Sequence, residues 1–191
     1  MNQTAAIVLA AGASRRLGQP KQALLHVGEP LLLRAARLAR AAGAEPVIVV
    51  LGAYAAQLRP LLAGETVQIV ENPDWEAGMG SSIRCGMAAL PDTCEAVLFL
   101  VVDQPGLSVT HLQALLQATS GPYSMAASAY GQKLGVPAVF TARHFAALRT
   151  HEGPNGARQL LRSLPEQVAR VPFPEGAWDI DRPEDLDRLS P

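Results

Sequence analysis

Charge of either sign is scarce in this chain, and it is balanced. Only 17% of the 191 residues are Asp, Glu, Lys or Arg, and the formal net charge is −1. Without a basic field to attract phosphate backbones or anionic lipid, neither nucleic acid nor a membrane surface is an expected partner. Long apolar runs are also missing: Gly, Pro or charged residues break every stretch well short of the ~20 residues that cross a bilayer. No basic residue precedes the apolar run Ala5–Ala11, and Gly12, Ser14, Arg15 and Arg16 follow it at once. No signal peptide is legible, so the expected location is the cytoplasm. Cysteine is limited to Cys85 and Cys94, which lack CxxC spacing, so reduced thiols are expected rather than a disulfide. No internal repeat appears, and the Gly/Pro patches are too short to be linkers, which predicts one domain over residues 1–191. Two common nucleotide templates, GxGxxG and GxxxxGK[ST], are absent as well, which counts against hydride-transfer dehydrogenases and P-loop NTPases.

What is present is a 49% hydrophobic composition, enough at this length for a full core. Short aliphatic runs alternate with helical patterns, the rhythm of βαβ units and a mostly parallel sheet. Strands are predicted at Ala5–Leu9, Pro46–Leu51, Val67–Glu71, Ala96–Val102, Val136–Phe140 and Val168–Val171. Helices are predicted at Leu31–Ala42, Tyr54–Leu62, Ser82–Leu90, Ser108–Thr119, Ala142–Leu148, Ala157–Leu164 and Pro183–Leu189. The run Ala96–Val102 has no polar member, so it belongs at the centre of the sheet, buried on both faces.

Chemistry concentrates where strands end. Directly after the first strand, Leu9-Ala-Ala-Gly-Ala-Ser-Arg-Arg-Leu-Gly-Gln-Pro-Lys21 is a Gly-containing, cationic loop. Gly12 and Gly18 allow close backbone approach, and Arg15, Arg16 and Lys21 bring positive charge to one concavity, a cradle for polyphosphate. The alternative is an ordinary strand-to-helix connection with solvated basic residues. After the central strand comes Asp103 in Val101-Val-Asp-Gln-Pro105, at the strand end where α/β folds bind ligands. A carboxylate beside triphosphate oxygens needs a divalent cation between them, so Asp103 is a candidate metal ligand; a turn cap is the other reading. Asp179 and Asp181 share a face if extended and form a second acidic site, whereas Asp181 with Glu184 also fits a helix capping box. Ser81 and Ser82, in Gly78–Gly86, can cap a helix or hydrogen-bond a sugar or base. His26, His111, His144 and His151 are scattered and read as surface or helix residues.

Six segments, LAAGASRRLGQPK from Leu9, GMGSSIRCG from Gly78, VVDQP from Val101, GVPAVF from Gly135, GPNGAR from Gly153 and DIDRPEDL from Asp179, occur in this order over nearly the whole chain. As a set they resemble the molybdenum cofactor nucleotidyltransferases, most closely the cytidylyltransferase branch. The resemblance implies a Rossmann-like, three-layer α/β nucleotidyltransferase fold with a mostly parallel central sheet. It implies transfer of a nucleoside monophosphate from NTP to the terminal phosphate of a molybdopterin-type cofactor, with release of pyrophosphate and with Mg²⁺ as cofactor. By motif position, Arg16, Lys21 and Asp103 carry the catalysis, and Arg16 and Lys21 hold the triphosphate. Leu9, Ala10, Ala11 and Gly12 border the nucleotide, Gly80 and Ser82 contact its ribose or base, and Asp103 with Asp181 hold the metal. Ala11, where guanylyltransferase relatives resemble LAGG, points to CTP over GTP. A molybdoenzyme or its chaperone is the implied protein partner. Two departures stand out: Pro154 stands where the family resembles GDxGAR, so a carboxylate is missing, and Arg182 replaces a Thr before Pro-Glu-Asp. A sugar- or polyol-phosphate acceptor, and a non-catalytic binding protein that delivers nucleotide or cofactor, are the competing readings.

Overall fold

In the computed structural model, which describes residues 3–150 and 157–189, alternation along each central strand decides the architecture. In β1 (Thr4–Ala10), Ala6, Val8 and Ala10 enter one apolar cluster, while Ala5, Ile7 and Leu9 enter another on the opposite face. A strand buried on both faces must be covered by helices on both.

The elements follow in order: β2 (Leu25–His26) and β3 (Glu29–Pro30), a small hairpin; α1 (Leu31–Ala41); β4 (Val47–Leu51); α2 (Ala55–Leu58); β5 (Gln68–Glu71); α3 (Met79–Ala88); β6 (Ala96–Val101); α4 (Val109–Ala118); β7 (Met125–Tyr130); β8 (Lys133–Thr141); α5 (Phe145–Arg149); α6 (Arg158–Ser163); and β9 (Val168–Pro172). Seven strands form one sheet in the order β5-β4-β1-β6-β8-β7-β9, and only β8 runs against the rest. Helices α1 and α4 pack on one face, and α3, α5 and α6 on the other, giving the three-layer α/β fold that the resemblance implied. No helix among the described residues is long and apolar enough to cross a membrane.

The sheet reverses direction of growth at β1. From β1 the chain builds outward to β4 and β5, then returns to place β6 on the other side of β1. Register pairs Leu9 with Val101, so the loops that leave β1 and β6 emerge side by side at one sheet edge. A crevice opens at such a switch point.

Several predicted elements differ in detail. Tyr54–Leu62 is only one α-turn, α2, followed by a 3-10 turn at Arg59–Leu62, because Pro60 has no N–H to continue an α-helical ladder. Pro183–Arg188 is 3-10 rather than α. The predicted strand Val136–Phe140 extends to nine residues, and its neighbour β7, Met-Ala-Ala-Ser-Ala-Tyr, was not predicted. Small Ala and Ser side chains carry little strand signal, and this segment is a strand because it is sandwiched between β8 and β9.

Candidate functional site

The loop after β1 is polarised along its length. The carbonyls of Ala10 and Gly12 accept from Gln22 Nε2 at 2.8 and 2.9 Å. Ala11 O accepts from Ala53 N, Ala13 O from the Tyr54 hydroxyl, and Ser14 O from the N–H groups of Leu17 and Gly18. By contrast, the N–H groups of Ala11 through Arg16 donate to no group among the described residues. Ser14 at φ 49 and Gly18 at φ 76 turn the chain through the left-handed region, and Ser14 Oγ accepts from Lys21 N. A ribbon with its acceptors engaged and its donors free is built for an anion.

Opposite this loop, Asp103 follows β6, and the C-terminal segment is tied to it: Ile180 N donates to Asp103 O at 2.8 Å. Ile180 itself is fully buried with Leu17 and Leu31, so apolar packing fixes Asp181 beside Asp103. Lys21 Nζ then bridges the two acids, 3.0 Å from Asp103 Oδ2 and 3.4 Å from Asp181 Oδ1. Arg16 Nη1 lies 2.6 Å from the other oxygen of Asp181. Two carboxylates that converge on one ammonium also suit a hard cation. Mg²⁺ commonly takes one or two protein carboxylates and completes its shell with water and substrate phosphate. No cluster of three or more His, Cys, Asp or Glu suited to a metal exists among the described residues.

These groups line a cleft of about 380 Å³. Of the predicted site residues, Leu9, Ala10, Ala11, Gly12, Arg16, Lys21, Ser82, Asp103 and Asp181 all face it. Gly80 does not: it is buried inside α3, and Gly78 and Met79 line the wall at that point. Ser81 and Ser82 do not cap the helix, which starts earlier than predicted, at Met79. Ser81 Oγ donates towards the carbonyls of Asp74 and Gly78, and both serine hydroxyls accept from Asn72 Nδ2.

Other expectations change. Asp179 is exposed and away from the cleft, because the stretch from Trp178 to Asp181 is irregular rather than a strand that would align it with Asp181. The capping acid of the last turn is Asp185, not Asp181 with Glu184: Asp185 Oδ2 accepts from the N–H groups of Asp181 and Arg182, which holds its carboxyl below the usual range. That leaves the Asp181 side chain for the cleft. Arg15 leans outward, pairing with Glu76 at 2.9 Å and lying over the Trp75 ring, an exposed clasp at the rim. His111 and His144 do lie on helical elements, α4 and the 3-10 turn Ala142–His144, but on their buried sides, each hydrogen-bonded to a serine, Ser128 and Ser124 respectively. The departure at Pro154, and His151, lie outside the described residues. Sequence reasoning missed Gln22 and Asn72; a polar residue flanked by Lys21 and apolar Ala23 and Leu24 was the available signal for the first.

Residues 6–168 match the family model of the MobA-like NTP transferase domain. The chain belongs to that family. It is thus a member of a nucleotidyltransferase family. It is 37% identical over 193 residues to nicotine blue oxidoreductase of Paenarthrobacter nicotinovorans, covering 96% of this chain and 94% of that protein. It is 30% identical over 196 residues to the purine catabolism protein PucB of Bacillus subtilis, again with 96% and 94% covered. Among solved structures, Rv0371c of Mycobacterium tuberculosis superposes with a TM-score of 0.84 at 26% identity, covering 98% of this chain and 97% of that one. Its complex with manganese superposes at 0.79 and 25% identity, with the same coverage.

Proposed function

We propose that this MobA-like protein transfers CMP from CTP to the terminal phosphate of a molybdopterin-type acceptor and releases pyrophosphate, with Mg²⁺ held by Asp103 and Asp181. The observation that carries the reading is the convergence of those two acids and Lys21 opposite a loop of free backbone donors. A divalent cation is supported further by the structural relative that is described as a manganese complex. When bound, the cation supplies positive charge to the phosphate oxygens.

In the proposed reaction an acceptor phosphate oxygen forms a bond to the α-phosphorus as the bond to the bridging oxygen of pyrophosphate breaks, in line. Phosphate is already ionised near neutral pH, so no general base is needed. Arg16 and Lys21 stabilise the charge that accumulates on the transferring and leaving oxygens, and the loop N–H groups align the triphosphate. Ala11 at the Leu9–Gly12 edge supports CTP over GTP, and the motif resemblance supports the molybdopterin-type acceptor. A molybdoenzyme or its chaperone is the protein expected to receive the product.

A second reading has its own observation: the relative at 37% identity is named an oxidoreductase. The absence of GxGxxG and the paired acids favour nucleotidyl transfer. Pyrophosphate release, measured with CTP, GTP, ATP and UTP against molybdopterin-type and sugar-phosphate acceptors, tests the reading directly. Metal-dependent release with CTP and a molybdopterin-type acceptor is the expected result. Oxidation of a nicotinamide cofactor without pyrophosphate release would transfer the case to the oxidoreductase reading, and tight nucleotide binding without any turnover would favour a delivery protein.

A further inference from the structure

Gln22 comes next to Lys21 in the 3-10 turn Lys21–Ala23 and lies at the floor of the same cleft, 2% exposed, with its amide under the loop. Both donors of its amide nitrogen are engaged, one by Ala10 O and one by Gly12 O. Its Oε1 is buried with no partner among the described residues. A position chosen for packing alone would avoid that orphan acceptor. The amide is kept for its paired donors, and those donors hold two alternate carbonyls of the loop.

The two carbonyls it holds govern what the cleft presents. A peptide plane carries its C=O and the next N–H on opposite sides, so with Gly12 O drawn down to Gln22, the Ala13 N–H is turned the other way. Gly12 has no side chain to restrict its backbone, and the space beside it is open, so nothing there opposes a change of this arrangement. Released from Gln22, the Gly12–Ala13 peptide can rotate and offer a carbonyl oxygen where a phosphate needs a donor.

We propose that Gln22 is the positioning residue of the nucleotide's phosphate site: with both amide donors taken by loop carbonyls, it acts by fixing the orientation of the loop peptides. The inference rests on the reading of the cleft as a nucleotide site. The test is isothermal titration of inorganic pyrophosphate and of CTP into wild type, Gln22→Met and Gln22→Glu, with Leu148→Ala as a control. Met keeps the volume and removes the donors, and Glu keeps the shape and replaces donors with acceptors. Leu148 is buried in α5 and does not line the cleft, so its truncation lowers stability without touching the loop. Both Gln22 variants are expected to lose at least tenfold in affinity for pyrophosphate and CTP, while Leu148→Ala, destabilised as much or more, keeps wild-type affinity. Wild-type affinity in whichever Gln22 variant folds, or an equal loss in Leu148→Ala, would overturn the proposal. Failure of the wild type to bind either probe would instead remove the nucleotide reading itself, and this inference with it.

Discussion

Lys21 and Asp103, 82 positions apart, meet at 3.0 Å at the mouth of the β1 and β6 strand ends, with the Lys21 side chain only 12% exposed. The same ammonium reaches Asp181, so one cation serves two acids. Removing it leaves Asp103 without its ion-pair partner and Asp181 paired with Arg16, and takes a preorganised cation from the proposed phosphate site. Lys21→Met is expected to lower pyrophosphate release by about 10²–10³-fold, the scale of losing one preorganised donor. In the same variant Mn²⁺ binding without nucleotide, followed by electron paramagnetic resonance, is expected to tighten, because the metal no longer competes with the lysine.

The acids make the complementary prediction. Asp103→Asn and Asp181→Asn each retain shape and lose a charge, so each is expected to raise the Mg²⁺ concentration for half-maximal turnover at least tenfold. Pyrophosphate release titrated with Mg²⁺ measures this; an unchanged metal requirement in both variants would remove the metal assignment.

Ile180 holds Asp181 in place through packing and through its N–H bond to Asp103 O. Ile180→Ala is expected to cost about 2–5 kcal/mol in urea unfolding, the usual range for a buried aliphatic truncation. Activity should fall by more than the unfolded fraction accounts for, since the loosened segment carries an acid of the site.

Acid should destabilise the fold before the carboxylates titrate. Burial lowers the pKa of His111, with Glu175 opposing, and burial with Arg143 lowers that of His144. The unfolded chain therefore takes up these protons first, from about pH 6.5 downward. The stabilisation is complete above that value and is lost as pH falls through the depressed folded values. Thermal melts between pH 7.5 and 5 are expected to show a falling Tm, and a smaller pH dependence in His111→Gln.

Nucleotide choice is open to a single substitution at the cleft edge. Ala11→Gly recreates the LAGG form, and the ratio of turnover with CTP to turnover with GTP is expected to fall. An unchanged ratio would show that Ala11 does not discriminate the base.

Much of this was legible in the sequence because its signals are local. Unbroken aliphatic runs marked β1, β4 and β6, and charged or glycine-rich loops after β1 and β6 marked the cleft walls. What escaped depended on neighbours far along the chain. β7 is a strand through its partners rather than its alanines and serines. Asp179 and Asp181 could not be separated by alternation, because the stretch that carries them is irregular and is tied to Asp103 through Ile180. Gln22 gave no motif, and its role depends on which carbonyls lie above it.

The link between Ile180 and Asp103 also has a meaning for biosynthesis. When the ribosome has released everything through β9, all seven strands of the sheet exist but only one of the paired carboxylates does. Asp181 is therefore the last of the pair to be made, and it is laid beside Asp103 only after every strand of the sheet has been synthesised.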